Sequence, residues 1–125
     1  NIVSYTIEKS MFPDTLINIE KDIKKHKALF FAIEGTRTIT IIIQKQYKGM
    51  IDKCFKNYIV EKKDNLSLIT INSEGIGDIP GAVSYIASLF FEHGINIEEF
   101  MSCYDDTLIV INSQDIDKIM KFLQF

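Results

Sequence analysis

The sequence predicts an α+β fold in which the order β-α-β-β-α occurs twice. Segments that alternate apolar, often β-branched, residues with polar ones indicate strands, and apolar residues at helical spacing indicate amphipathic helices. Landmarks in matching contexts recur 67 residues apart: Pro13 and Pro80, His26 and His93, Phe55 and Phe122, and the strand residues 41–43 and 108–110. Several matches at one spacing indicate an internal repeat.

The first half of the chain contains one full series of these elements. Pro13 has no N–H for a strand ladder, so it separates the first strand from the first helix. The next two strands form a hairpin around the turn 34–37. The predicted elements are strand 2–8, helix 14–26, strands 28–33 and 38–44, helix 46–56 and a short strand 58–60.

The series begins again after a polar turn or linker predicted at residues 61–65. In this half the loop before the first helix is longer and alone carries glycines. Gly94 follows that helix, at a position where the left-handed conformation favours glycine. The predicted elements are strand 66–72, loop 73–81, helix 82–93, strand 95–103, turn 104–106, strand 107–111 and helix 115–122.

The order β-α-β-β-α-β is that of the split, ferredoxin-like unit, an antiparallel sheet with both helices on one face. We therefore expect two such domains, residues 1–62 and 66–125. The second lacks a fourth strand, which is either absent or supplied by further sequence or another subunit. Because the chain opens at Asn1 without a methionine, we expect it to be part of a longer protein.

Composition narrows the classes of function. The net charge is −3 and both signs are mixed along the chain, which argues against a nucleic-acid surface. No apolar run approaches the ~20 residues of a membrane span. Cys54 and Cys103 lie far apart without a CxxC motif, so we expect reduced, partly buried thiols in a cytoplasmic protein.

The loop 75–81 has the chemistry of a small-molecule site. Its glycines, Gly75, Gly77 and Gly81, let the backbone approach a ligand closely, and the N–H groups at the helix start can receive a carboxylate. Asp78 could pair with an ammonium group, and Asn96 offers both a donor and an acceptor. The alternative is an ordinary strand-to-helix turn without a ligand.

Other reactive residue types have simpler explanations. His26 and His93 fall at helix C-termini, where a cation complements the helix dipole. Glu98 and Glu99 are neighbours on a strand and point to opposite faces, while Asp105-Asp106 suits a turn. There is no nucleophile–base set, metal-ligand spacing or phosphate loop, so we expect no enzyme activity, metal or cofactor.

Residues 66–125 resemble an ACT domain. The features that carry the resemblance are the strand LSLITIN, a loop ending in Pro80-Gly81, an apolar helix, Gly94-Ile95-Asn96-Ile97, a hairpin and a closing helix. As a whole this half is similar to the C-terminal ACT repeats of aspartokinases. The first half has Lys27-Ala28-Leu29-Phe30 in place of the glycine motif and is interpreted as a degenerate ACT repeat.

The resemblance implies tandem ACT repeats that sense a free amino acid and control an attached or partner protein in amino-acid metabolism. It implies one ligand site per chain, at an interface between ACT units, and a homodimer or larger assembly formed through ACT pairing. A structural or dimerisation module without a ligand remains the alternative. The ligand-binding residues that it implies are Gly75, Ile76, Gly77, Asp78, Ile79, Pro80, Gly81, Ala82, Asn96 and Ile97.

Overall fold

The structure, a computed structural model, describes residues 1–9, 13–72, 81–103 and 106–122. The chain divides into two compact units, Asn1–Asn65 and Leu66–Phe125. Each unit combines helices with antiparallel strands, so the α+β class predicted from the sequence is confirmed. Within the described ranges, no helix has the length and apolar character needed to cross a membrane.

The first unit follows the predicted order of elements. Its strands are arranged β2-β3-β1-β4, and β1 pairs antiparallel with β3 from Ile2 opposite Gln44 to Glu8 opposite Thr38. The elements are β1 (Ile2–Glu8), α1 (Pro13–Lys25), β2 (Phe30–Glu34), β3 (Thr38–Gln44), a 3-10 turn (Lys45–Tyr47), α2 (Lys48–Cys54) and β4 (Ile59–Asn72), which continues into the second unit.

The second unit repeats this order. The part of β4 from Leu66 onward pairs antiparallel with β6, which in turn pairs with β5. The further elements are α3 (Ala82–Glu92), β5 (Ile97–Cys103), β6 (Asp106–Asn112), a 3-10 turn (Ser113–Asp115) and α4 (Ile116–Phe122). In both units the second helix starts later than predicted because a 3-10 turn precedes it.

Each unit has its own apolar core between sheet and helices. In the first unit alternate residues of β1 and β3 face the helices, so Tyr5 lies opposite Ile41 with both fully buried. The second core is built on Ile109 and Ile111 in the same way. The buried members are Val3, Tyr5, Ile7, Ile19, Ile23, Phe30, Ile41, Ile43, Ile51 and Phe55 in the first, and Ile86, Phe90, Ile95, Ile109, Ile111 and Ile119 in the second.

Burial on β3 exceeds what one-sided alternation requires. Its three consecutive isoleucines, Ile41, Ile42 and Ile43, are all 0% exposed. Val110 of β6 is likewise 0% exposed between Ile109 and Ile111. These strands are therefore buried on both faces, which explains why they read as continuous apolar runs and not as alternating ones.

The predicted turn or linker at residues 61–65 is wrong, because β4 runs through it without a break. β1 is the neighbour of β4 in the first unit, and the Glu8 N–H donates to the Tyr58 carbonyl at 3.0 Å beside its start. The charged side chains of this part of β4 are paired: Lys62 contacts Asp52 at 3.2 Å. Backbone pairing thus overrides the polar character of the sequence.

The spacing between equivalent elements is not constant. Lys27 and Gly94 are 67 residues apart, but α2 and α4 begin at Lys48 and Ile116, which are 68 apart. A β-bulge in β5, where the register shifts between Ile97 and Glu99, adds the extra residue. The predicted spacing of 67 therefore fails after this bulge.

The bulge changes which residues correspond. Ile51 corresponds to Ile119, and both are 0% exposed in their cores. The predicted match of Phe55 with Phe122 is one residue out of step, because Phe55 lies just beyond α2 whereas Phe122 ends α4. The predicted match of strand residues 41–43 with 108–110 is out of step by the same residue.

Both units end their first helix with a left-handed residue. In the first unit this is Lys27 at φ 57°, whose N–H donates to the Lys24 carbonyl at 2.9 Å. In the second it is Gly94 at φ 70°, whose N–H donates to the Phe91 carbonyl at 3.0 Å. The following residue also donates back to the helix, as in a Schellman motif. The chain therefore reaches its next strand two residues later than predicted.

A polar network joins α2 to the sheet of the first unit. The buried Tyr5 hydroxyl donates to Asp52 Oδ1 at 2.8 Å, and Lys62 Nζ donates to both oxygens of the same carboxylate at 3.2 Å. Burial raises the pKa of Tyr5, and the hydrogen bond to Asp52 raises it further. Desolvation acts to raise the pKa of Asp52, but the hydrogen bonds from Tyr5 and Lys62 outweigh it and hold that pKa below its usual value.

Replacing Lys27 by glycine should raise the free energy of unfolding by about 0.5–1 kcal/mol, because glycine adopts this left-handed conformation without strain. Gly94→Ala should lower it by about 1 kcal/mol. A Cβ added at Gly94 meets no atom within 4 Å, so the expected loss of stability comes from backbone strain and not from a steric clash. Urea unfolding measures both changes. Lys24→Gly inside α1 is the control and should lower the free energy of unfolding. A Lys27→Gly protein that is less stable than wild type would contradict the left-handed conformation of Lys27.

Asp52→Asn should lower the free energy of unfolding at pH 7 by about 1 kcal/mol, a value reduced for solvent screening of a partly exposed group. Because the folded-state pKa of Asp52 is lowered, its contribution is present above the unfolded pKa of about 4 and is lost as pH falls through the folded value. Urea unfolding at pH 7 and in acid should therefore show a difference between wild type and variant that shrinks in acid. Asp22→Asn on α1 is the matched control, and a pH-independent difference would contradict the network.

Candidate ligand-binding site

The sequence predicts the candidate site on the loop between the end of β4 and the start of α3, together with Asn96 before β5 and Ile97 at its start. Six of the predicted site residues lie outside the described residues: Gly75, Ile76, Gly77, Asp78, Ile79 and Pro80. The structure places the other four at opposite ends of α3, with Gly81 and Ala82 at its start, and Asn96 and Ile97 beyond its end, at the start of β5. Because α3 has 11 residues and a helix rises about 1.5 Å per residue, one unit does not bring these two pairs together.

Gly81 is the N-cap residue of α3 and is left-handed, at φ 80°. Its carbonyl accepts the N–H of Tyr85 at 2.8 Å, which begins the helix. Because Gly81 has no side chain, it provides no side-chain acceptor for the N–H groups of the first turn. These groups and the helix dipole suit a ligand carboxylate.

Ala82 and Ile97 attach the site to the core of the second unit. Both are partly buried and pack against the cluster that contains Ile86 and Phe90. Ile97 also pairs with Ile111 of β6. Their side chains thus serve packing, and any contribution to a ligand comes from their backbone groups.

Asn96 is exposed beside the bulge of β5. Its Nδ2 donates to Glu98 Oε1 at 3.1 Å. This contact engages one of the two N–H donors of the side-chain amide. The predicted role, in which Asn96 contacts the amino and carboxyl groups of a ligand together, stays a prediction. The side-chain oxygen of Asn96 and the carboxylate of Glu98 are hydrogen-bond acceptors, which suit an ammonium group.

Sequence reasoning missed the pairing of Asn72 with Asp106. Asn72 Nδ2 donates to Asp106 Oδ1 at 2.5 Å where β4 ends and β6 begins. Asp106 was predicted in a turn, but it is the first residue of β6, because its backbone is opposite Asn72 and Cys103. Asn and Asp favour turns in general, and nothing local in the sequence shows that these two meet across strands.

Sequence reasoning also missed the Thr107 hydroxyl. Thr107 is 0% exposed, and its Oγ1 has no hydrogen-bond partner among the residues that the structure describes. It lies opposite Ile71 on the same side of β6 as the core residue Ile109. Leaving a buried hydroxyl unpaired costs about 1–3 kcal/mol. It lies next to the Asn72–Asp106 pair at the end of the β4–β6 ladder.

The two histidines end helices, as predicted. His93 caps α3, where Nδ1 lies 2.7 Å from the Leu89 carbonyl and the ring stacks on Phe122 with centroids 3.9 Å apart. His26 directly follows α1 and is exposed. Among the described residues no group of three His, Cys, Asp or Glu could hold a metal ion.

One expectation about the cysteines is wrong. Cys54 is a free thiol, as expected, but it is exposed where a partly buried side chain was predicted. It is the last residue of α2, directly before the buried Phe55. The side chain of Cys103 lies outside the described residues.

The antiparallel strands with their helices define a small α+β fold, and sequence comparison identifies the family. The profile of the ACT domain matches residues 61–124. This is more than half of the chain, and the chain therefore belongs to the ACT domain family. The resemblance noted at Pro80-Gly81 and Gly94-Ile95-Asn96-Ile97 is thus confirmed. No curated protein sequence matches the chain.

Solved structures similar to this chain include aspartate kinases and a regulatory subunit of such a kinase. The aspartate kinase of Clostridium acetobutylicum is 17% identical with a TM-score of 0.76, over 97% of this chain and 32% of that chain. The ligand-free regulatory subunit from Thermus thermophilus is 10% identical with a TM-score of 0.68, over 96% and 87%. E. coli aspartokinase III in complex with aspartate and ADP is 9% identical with a TM-score of 0.68, over 95% and 30%.

At these identities the likeness is one of fold. The chain spans about a third of the length of the Clostridium kinase, 32%. It spans most of the Thermus regulatory subunit, 87%. The chain and these proteins therefore share a fold.

Thr107→Val should raise the free energy of unfolding of the ligand-free protein by about 1 kcal/mol, because it removes a buried hydroxyl without a described partner and keeps the side chain's shape. Thr70→Val, at an exposed position of β4, is the control, and its free energy of unfolding should stay within about 0.5 kcal/mol of the wild-type value. Thermal or urea unfolding measures both. A destabilised Thr107→Val protein would show that the hydroxyl is satisfied in the folded state.

Proposed function

We propose that the chain is a pair of ACT repeats, a degenerate one at residues 1–62 and a ligand-binding one at 66–125, that senses a free amino acid. Binding would control an attached or partner protein of amino-acid metabolism in the cytoplasm. The shared element order of the two units supports the pair. So does the match of aspartate kinase regulatory regions over 95% or more of the chain.

The observation that carries the proposal is the start of α3. Gly81 opens an 11-residue helix in a conformation that only glycine adopts readily, and it provides no side-chain cap. A free amino acid fits this arrangement with its carboxylate on the first-turn N–H groups. Its ammonium group would meet Asp78 and, where two ACT units meet, the oxygens of Asn96 and Glu98 of the other ACT unit.

We assign one such site to each chain, within the second repeat. The first repeat has Lys27 where the second has Gly94, and the sequence before α1 lacks the glycines of the loop before α3. We further propose that a second ACT unit completes the site, through a homodimer or larger assembly. The ligand would then favour one arrangement of the units, which is the condition for regulation.

No catalytic role is proposed. The donor and acceptor groups at the candidate site bind and orient a ligand, and they contain no nucleophile with an adjacent base. The proposal needs no cofactor. Control of activity would reside in the attached or partner protein, whose state depends on the assembly of ACT units.

A structural association module is the second candidate function. Exposed apolar side chains on the helices of the second unit favour it: Phe91 is 83% exposed, Tyr85 63% and Met120 65%. Apolar residues at this exposure are typical of surfaces that pair with another protein. In this case the second repeat would associate without a small ligand.

Thermal unfolding of the chain with each of the twenty amino acids at millimolar concentration tests the proposal. A ligand at 100 times its Kd should add about 2.7 kcal/mol of stability. Gly81→Asp should abolish the shift, because it places a carboxylate at the anion-binding helix start. Gly49→Asp, at an open position on α2, is the matched control and should retain the shift.

The two candidate functions give different outcomes. No shift with any amino acid, together with concentration-dependent association that Phe91→Ser weakens, would favour the structural module. A shift that survives Gly81→Asp would place the ligand elsewhere on the chain.

A further inference from the structure

A cavity of about 700 Å³ belongs wholly to the first unit. It is lined by Glu8, Lys9, Thr36, Arg37, Thr38 and Val60. None of these residues belongs to the candidate site in residues 66–125. Its volume is in the range of small-molecule sites, which is about 300–1,000 Å³.

The cavity lies on the sheet face that is turned away from the core of the first unit. Glu8 and Thr38 are opposite each other at the end of the β1–β3 ladder. Their neighbours Ile7 and Ile39 face the core, so Glu8 and Thr38 face the other way. The Lys9 N–H donates to the Arg37 carbonyl at 3.0 Å, which extends the ladder to the rim of the cavity.

Val60 supplies an apolar wall. Its neighbour Ile59 packs against the core, so Val60 points to the same sheet face as Glu8. Val60 is 60% exposed, so its apolar side chain is open to a ligand. A ligand with an apolar body would cover it.

The two cations at the cavity differ in their partners. Lys9 Nζ is held by Glu34 at 2.7 Å and by the Gly35 carbonyl at 3.2 Å. Arg37 is the sole arginine of the chain, and its guanidinium makes no hydrogen bond or ion pair to any residue that the structure describes. A planar guanidinium of this kind matches the two oxygens of a carboxylate or phosphate.

We propose that this cavity, the Arg37 cavity, binds a small organic anion. Arg37 binds a carboxylate or phosphate group of the ligand. Thr36 and Thr38, which carry hydroxyl groups, lie on either side of Arg37 in the sequence. The apolar part of the ligand lies on Val60. Glu8 at the rim disfavours ligands with a second negative charge on that side. This site is independent of the proposed amino-acid site.

Two probes test the proposal on the full chain by NMR of its backbone amides: hexanoate for a carboxylate with an apolar tail, and AMP for a phosphate. At millimolar concentration at least one should give saturable shifts at Lys9, Thr36, Arg37 and Thr38. The tighter probe identifies the source of the anion, and equal binding indicates that the oxyanion alone is recognised.

Arg37→Gln should weaken the binding of that probe about tenfold or more, because the charge-assisted pair is lost. Arg37→Lys keeps the positive charge but loses the planar guanidinium that can donate to two oxygens at once, so it should weaken the binding less than Arg37→Gln. Lys56→Gln, which removes an exposed cation of the same unit that does not line the cavity, is the control and should leave the Kd unchanged.

The outcomes separate this site from the amino-acid site. Gly81→Asp should leave the shifts at Arg37 intact, whatever it does to amino-acid binding. Absence of saturable shifts with both probes, or an Arg37→Gln protein that binds as tightly as wild type, would overturn the proposal.

Discussion

The antiparallel ladder between an isoleucine-rich strand and its neighbour is the interaction on which each unit depends. In the first unit β3 pairs with β1, and in the second β6 pairs with β4. Fully burying one isoleucine contributes about 1.5–3 kcal/mol, and Ile41, Ile43, Ile109 and Ile111 are all 0% exposed. The helices pack on these side chains, so the ladders fix where every other element begins and ends.

Both proposed sites lie where these ladders end. The first ladder ends with Glu8 opposite Thr38, beside the Arg37 cavity, and the second ends with Asn72 opposite Asp106, next to the predicted ligand loop. A rigid sheet edge holds polar side chains in place, while the connecting segments are free to differ between units. The same scaffold can therefore carry two recognition chemistries, an open helix start and a guanidinium without a partner among the described residues.

Much of the fold could be predicted because helices and strands leave periodic patterns. The order of elements, the helix ends at His26 and His93, and the ACT family followed from local sequence. The path of β4 through residues 61–65 could not be predicted from local sequence, because its charged side chains pair with residues elsewhere in the chain, as Lys62 does with Asp52. The β5 bulge and the buried Thr107 hydroxyl likewise depend on strand register, which one sequence does not reveal.

The central claim is that a free amino acid binds at the start of α3. Mapping backbone amide shifts on the full chain, with the amino acid that stabilises it most, tests this directly. The claim predicts saturable shifts at residues 81–84 and at Asn96 and Ile97, with one ligand per chain. Shifts confined to the first unit, around Lys27 or Arg37, or none at the start of α3, would contradict it.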